Sequence, residues 1–214
     1  YNQLGLVFWN TGYPEKAKEY HQLALEIRKE YLGPAHLDVA ESYNNLGAVY
    51  SSTGDLDKAK EYLRLALEIQ KEHLGPNHVD VAASYNNLGA VYSDIGDLEK
   101  AKEYHLLALE IQKEKLGPSN VYVAISYNNL GTVYRDTGDL ERAKEYHQLA
   151  LEIQKKQLVP NHVDLATSYS NLGLVYWNTH DLEKAKEYHR FALKIQKEQL
   201  GPNHVTVAES YNNL

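Results

Sequence analysis

Histidine and asparagine are the side chains in this chain whose number and spacing could do chemistry. Eight of the ten histidines fall into two series. His36, His78, His162 and His204 follow one 42-residue beat, with one beat skipped; His21, His105, His147 and His189 follow another, again with one skipped. A metal centre needs three or four ligands converging on one point. Residues that return once per 42-residue copy fall on successive copies instead, so no metal site is expected. The second series sits at a core-facing position that Leu63 fills in the remaining copy, which reads as packing. No H-E-x-x-H, G-x-S-x-G or P-loop spacing occurs, and the carboxylates lie mainly in alternating charge pairs. No catalytic residue and no cofactor is expected. The asparagines are more informative. SYNNLGAVY stands at 42–50 and again at 84–92, SYNNLGTVY at 126–134 and SYSNLGLVY at 168–176. An interior asparagine costs a helix up to about 0.7 kcal/mol relative to alanine. A carboxamide, however, offers both a donor and an acceptor.

The wider composition narrows the choices. The 214 residues carry a net charge of −7, with 43% hydrophobic and 24% charged residues. That balance suits a soluble globular protein and argues against nucleic acid or an anionic membrane as partner, since both attract basic surfaces. No apolar run approaches the ~20 residues of a membrane span, and no signal peptide is evident. Cysteine is absent, which removes disulfides and thiolate sites and fits a cytoplasmic setting. Methionine is absent too, even at position 1, which points to a piece of a longer protein.

Leu4, Leu46, Leu88, Leu130, Leu172 and Leu214 are evenly spaced by 42 residues, the mark of a repeat array. Two breaks punctuate each copy: T-G-D at 53–55 and 137–139, with I-G-D at 95–97, and G-P-N-H at 75–78 and 201–204. The expected units are 1–35 (first helix truncated), 36–77, 78–119, 120–161, 162–203 and 204–214, together one array. Tyr43, Leu46, Gly47 and Tyr50 have helical spacing, and so do Leu56, Ala59, Leu63, Ala66, Leu67 and Leu74. Asn77-His78-Val79-Asp80 resembles a capping box with Asn77 as N-cap, and Asp55 can cap the second helix. Opposite charges at Asp57–Lys60, Glu61–Arg64 and Glu68–Lys71 predict i, i+3 pairs on a solvated face. A helix pair this short buries its apolar face only by stacking on neighbours, so the fold class is an all-α solenoid. His180 in place of the turn glycine, and Val159 in place of the loop glycine, should shift local geometry.

Tyr43-x2-Leu46-Gly47-x2-Tyr50, followed by Ala59-x3-Leu63 and Ala66, resembles the tetratricopeptide repeat (TPR) signature, with tyrosine for tryptophan. Gly5, Gly47, Gly89, Gly131 and Gly173 all occupy its glycine position. The 42-residue unit and the L-A-L-E-I-Q-K-E-x-L-G-P stretch look like kinesin light chain and nephrocystin-3-like TPR regions. The resemblance implies a right-handed superhelix whose first helices line a concave groove. It further implies that asparagines at the matching positions contact the backbone of a bound extended peptide. On a helical wheel Glu41, Asn45, Ala48 and Ser52 lie opposite the apolar set. Asn45, Asn87, Asn129 and Asn171 would then form a ladder, with Asn44, Asn86 and Asn128 on its flank. Ser51 and Ser93 leave room beside it, and Trp9 and Trp177 hold one equivalent position near the turn, read either as aromatic anchors for a partner or as edge packing at the turn. The same asparagines could instead bond between neighbouring units.

Arg135 is the one lysine or arginine across the first helices at 36–52, 78–94, 120–136 and 162–178. TPR clamps that hold chaperone C-terminal carboxylates use several, so that partner is not expected, nor are tryptophan-acidic cargo peptides. Glu41, Asp94 and Asp136 point to a neutral or modestly basic peptide. The expected function is a non-catalytic protein-binding module, an adaptor or scaffold. Two alternatives stand beside it. One is a self-stacking array in which Leu4, Phe8 and Trp9 meet Val207, Ala208 and Tyr211 of another chain head to tail; the other is the sensor arm of a signalling NTPase.

Overall fold

The computed structural model describes residues 1–212. Leu214, the last beat of the leucine repeat, lies outside them. Eleven helices run in chain order: α1 (Asn2–Asn10), α2 (Pro14–Leu32), α3 (Leu37–Ser52), α4 (Leu56–Leu74), α5 (Val79–Ile95), α6 (Leu98–Leu116), α7 (Val121–Asp136), α8 (Leu140–Gln157), α9 (Val163–Asn178), α10 (Leu182–Leu200) and α11 (Val205–Asn212). No strand occurs among the described residues. The chain gathers into two compact units, Tyr1–Ile111 and Gln112–Leu214, dividing within α6. In the first, α1 packs on α2, α2 on α3, α3 on α4 and α4 on α5; in the second, α7 packs on α8, α8 on α9, α9 on α10 and α10 on α11. Within each unit the helices therefore pack on their neighbours in chain order, which is the packing of a TPR solenoid.

The core follows the apolar spacing. Leu46, Leu88, Leu130 and Leu172 are fully buried, as are Ala59, Ala101 and Ala143. Burying one leucine contributes about 1.5–3 kcal/mol, so these positions dominate the stability of each hairpin. The signature glycine is a close-approach site. A Cβ on Gly131 would sit 2.7 Å from the His147 ring, and one on Gly47 would sit 2.6 Å from Leu63. Ring and helix can be this close only because no side chain intervenes.

The turns explain both the order and two departures from expectation. Gly54 takes φ +85°, its N–H bonds Ser51 O at 3.1 Å, and the Asp55 N–H bonds Tyr50 O at 2.9 Å. His180 adopts φ +62° and makes the same pair of bonds, to Trp177 O and Tyr176 O at 3.0 and 2.9 Å for residues 180 and 181. The expected change at this turn is absent: the backbone bonds hold its shape and the histidine carries the strain. Val159 does alter its loop. Without a glycine after the helix, α8 stops at Gln157 with Leu158 extended, whereas Gly75 after α4 takes φ +83°.

Two further expectations are corrected. The N-cap of α5 is His78, not Asn77: its Nδ1 accepts the Asp80 N–H at 3.2 Å. His36, His162 and His204 do the same for Asp38, Asp164 and Thr206. Asn120, which replaces histidine in this series, caps α7 through Oδ1. Imidazole and carboxamide are interchangeable here because each places an acceptor two bonds beyond Cβ. Among the predicted ion pairs, Asp57–Lys60 forms at 3.0 Å. Arg64 instead bonds the Tyr92 hydroxyl and Lys71 lies 5.9 Å over the Tyr85 ring, both on the next hairpin. The buried Tyr92 hydroxyl and Tyr85 ring thus take these cations in place of water-exposed carboxylates.

Candidate functional site

The two adjacent asparagines point in different directions and meet different fates. The first of each pair turns inward. Asn86 and Asn128 are both 8% exposed. Asn86 Oδ1 lies 2.9 Å from His105 Nδ1, and Asn128 Oδ1 lies 3.0 Å from His147 Nδ1. Asn128 Nδ2 also donates to Ser168 Oγ on α9 at 2.6 Å, and Ser168 donates to Gln154 Oε1 on α8 at 2.6 Å. His147, Asn128, Ser168 and Gln154 thus form one buried relay joining two hairpins. In α1 the same position holds Asn2, bonded to His21 Nδ1 at 2.8 Å. Sequence reasoning placed Asn86 and Asn128 on the flank of a groove; burial and committed hydrogen bonds make them internal. Asn44 is half-buried beside Ser84, at 3.2 Å. The signal that marks this role is the pairing of each inward asparagine with a histidine nineteen residues later, broken only where Leu63 or Ser170 intervenes.

Burial sets the state of these histidines. Desolvation pushes His105 down to about 4, and desolvation, with the Arg135 charge adding to it, pushes His147 down to about 3. Burial lowers His21 and His189 as well. All four rings are neutral near pH 7. In His147 the Nδ1 carries the proton, because Asn128 Oδ1 is free to accept while Nδ2 serves Ser168. Its Nε2 is buried with no partner. These rings pack against the signature glycines, and no cluster of three metal-ligating side chains occurs among the described residues.

The second asparagine of each pair turns outward. Asn87 is exposed, and Asn45, Asn129 and Asn171 are half-buried. Asn45 donates to Asn2 Oδ1 at 2.9 Å. Asn87, Asn129 and Asn171 make no hydrogen bond to any described residue. In the first unit the open faces of α3 and α5 present Glu41, Asn45 and Ala48, then Ala83, Asn87 and Ala90. In the second, α7 and α9 present Ile125, Asn129 and Thr132, then Thr167, Asn171 and Leu174. A constant carboxamide is therefore flanked by side chains that change from hairpin to hairpin.

Ser51, Ser93, Arg135 and Trp177 occupy one further position, one residue per hairpin along these helices. The two serines are half-buried, Arg135 is paired with Asp136 through Nε and Nη2 at 2.9 and 2.8 Å, and Trp177 is 58% exposed. Trp9, at the same position in α1, is half-buried. Of the residues expected to meet head to tail, Leu4, Ala208 and Tyr211 are exposed. Val207 is buried, and Phe8 is half-buried with its ring stacked on Tyr20 at 5.3 Å.

Comparison with known proteins completes the picture. No curated protein sequence matches the chain. Among solved structures, BtubC (BKLC) from P. vanneervenii is 32% identical, with a TM-score of 0.75 over 92% of this chain and 79% of that one. A Podosopora anserina candidate kinesin light chain with nearly identical TPR-like repeats is 23% identical, with a TM-score of 0.71 over 92% and 93%. The apo form of RapI shares the fold at 20% identity, with a TM-score of 0.76 over 99% and 79%. The tetratricopeptide repeat profile matches residues 1–72, 53–114, 80–156, 122–195 and 164–214, end to end. With signature glycines, paired helices and solenoid packing all in place, the chain belongs to the tetratricopeptide repeat family.

Proposed function

We propose that this chain is a non-catalytic binding module of the adaptor or scaffold type, which takes an extended segment of a partner protein along the open face of its first helices. The TPR fold is an interaction scaffold, and the observation that carries the finer reading is the division of labour within each asparagine pair. Asn86 and Asn128 spend their amides inside the protein, whereas Asn87, Asn129 and Asn171 hold theirs open. An open carboxamide pairs with the C=O and N–H of a strand whatever its side chains are, and the variable neighbours supply selectivity. Ser51 and Ser93 border the face, and Trp177 offers an aromatic anchor. Arg135 is tied to Asp136, so the face has little to offer an acidic peptide and suits a neutral or modestly basic one. The absence of cysteine supports a cytoplasmic setting, and no described helix is long and apolar enough to cross a membrane.

Peptide-display selection against the chain, run beside the Asn45→Ala, Asn87→Ala, Asn129→Ala, Asn171→Ala variant, tests the reading once thermal melts show that both fold. Enrichment on the first and not the second is expected. Equal enrichment, or none, refutes the ladder.

A further inference from the structure

In the second unit, α7 and α9 start on caps of different chemistry. Asn120 accepts the Tyr122 N–H at 2.9 Å through its carboxamide oxygen, which is an acceptor whatever the pH. His162 accepts the Asp164 N–H at 3.2 Å through Nδ1. Imidazole can do this only while neutral. Once protonated, both ring nitrogens carry N–H and neither has a lone pair to offer. An N–H would then face an N–H, and a positive charge would stand at the positive end of the helix dipole.

The ring has a second partner within reach. His162 Nδ1 lies 3.6 Å from Asp164 Oδ2, too far for a hydrogen bond while the nitrogen is an acceptor. The carboxylate and the capped amide thus belong to the same residue, and a small rotation of the ring exchanges one for the other. Both side chains are 40% exposed, so water reaches the ring without unfolding. Asp164 is the one charged residue of α9. It is also the one carboxylate within 4 Å of the ring among the described residues. Of the helices packed on α9, α7 carries no charge before Arg135, and α10 brings Lys194, Lys197 and Glu198 to its last two turns. Lys197 lies over the Tyr211 ring. The end of α8 brings Glu152, Lys155 and Lys156, with Lys155 over the Tyr169 ring. These lysines oppose a charged imidazole, and Asp164 favours one.

We propose that His162 is a pH-operated cap: the neutral ring holds the first turn of α9 through the Asp164 N–H, and the protonated ring releases that amide and pairs with the Asp164 carboxylate. Mild acid then loosens the entry to α9 and leaves that of α7 unchanged. His36–Asp38 and His78–Asp80 repeat the arrangement in the first unit, at 3.9 and 3.6 Å. At His36 a cation already stands by, since Arg28 donates to Asp38 O at 2.7 Å. His204 caps α11 through the Thr206 N–H and has no carboxylate at that position to turn to.

The test measures exchange of backbone amides with water by NMR at steps from pH 7.5 to 5.5, each rate divided by that of an unstructured chain at the same pH. Protection of the Asp164 N–H should fall about 3- to 10-fold, the worth of one cap, while that of Tyr122 stays level. His162→Asn, which installs the Asn120 chemistry, should remove the fall. In Asp164→Asn the fall should come at lower pH, because the carboxylate that holds the charged ring is gone. Tyr122 reports any general loosening of the unit, so the reading does not depend on overall stability. Asp164 protection that follows Tyr122, or a fall that persists in His162→Asn, overturns the proposal. An unmoved fall in Asp164→Asn overturns the exchange of partners.

Discussion

The buried relay makes a sharp energetic prediction at Asn128. Replacing it by leucine keeps the branched skeleton but removes two hydrogen bonds, to His147 Nδ1 at 3.0 Å and to Ser168 Oγ at 2.6 Å. Ser168 keeps its bond to Gln154, so its loss is one ordinary bond, about 1 kcal/mol. The His147 N–H is left without an acceptor in a ring that is 0% exposed, which costs about 1–3 kcal/mol. Leucine recovers part of this through apolar burial, so Asn128→Leu should destabilise by about 2–3 kcal/mol. His147→Leu recreates the Leu63 arrangement. The double variant should then be less unstable than the sum of the singles by about 1–2 kcal/mol. Urea unfolding followed by far-UV circular dichroism measures this, fitted with a nearest-neighbour scheme because repeat arrays need not unfold in one step. Asn129→Ala, on the outward side of the same helix, should fall within about 0.5 kcal/mol of the parent. An Asn128→Leu loss no larger than that, or strict additivity with His147→Leu, would refute the relay.

Further outcomes follow from the caps, the turn and the buried rings. His105 and His147 titrate from 6.5 down to about 4 and about 3 on folding, so below pH 6.5 the unfolded chain binds more protons than the folded one. Stability is complete above pH 6.5 and is lost as pH falls towards 4 and then 3. Thermal melts of His105→Leu/His147→Leu should show a flatter pH dependence across that window. His78→Ala should cost about 1 kcal/mol in chemical denaturation by leaving the first turn of α5 uncapped, and His78→Asn, as in the natural Asn120 cap, should restore it. His180→Gly should raise stability by about 1 kcal/mol by relieving φ +62° without disturbing the turn's backbone bonds, seen as a higher melting temperature.

Period and hydrophobic spacing were enough to specify the hairpins, because burial in a stacked array depends only on which residues return on one helix face. Leu46, Ala59 and Gly47 behave as their positions predict. The polar side chains were harder to place, because their fate depends on partners contributed by another helix. Asn86 and Asn87 differ by about 100° around a helix, and that angle separates a buried side chain from an exposed one. The sequence alone shows both as polar interruptions. The pairing of Asn86 with His105 lies nineteen residues away across a turn, outside any periodic window. The cap moved from Asn77 to His78 for a similar reason: imidazole Nδ1 can stand in for a carboxamide oxygen, a substitution that capping preferences built on Asn, Asp, Ser and Thr do not anticipate.

The repeated asparagine pair is best understood as one solution to two separate demands. Stacked hairpins with leucine and alanine cores fit together in more than one way, since apolar surfaces do not distinguish neighbouring registers. A buried amide that must reach a serine on the next hairpin and a histidine on its own does distinguish them: a slip by one residue leaves at least two polar groups unpaired, at about 1–3 kcal/mol each. Histidine suits the partner position because its ring lies flat against the signature glycine while one nitrogen reaches the amide. Leucine at 63 packs against Gly47 equally closely but offers Asn44 no polar partner, and Asn44 is half-buried where Asn86 and Asn128 are buried. On this argument Leu63→His should recreate the His147–Asn128 bond with Asn44 and raise stability by about 1 kcal/mol in chemical denaturation. A Leu63→His variant no more stable than the parent would refute the argument.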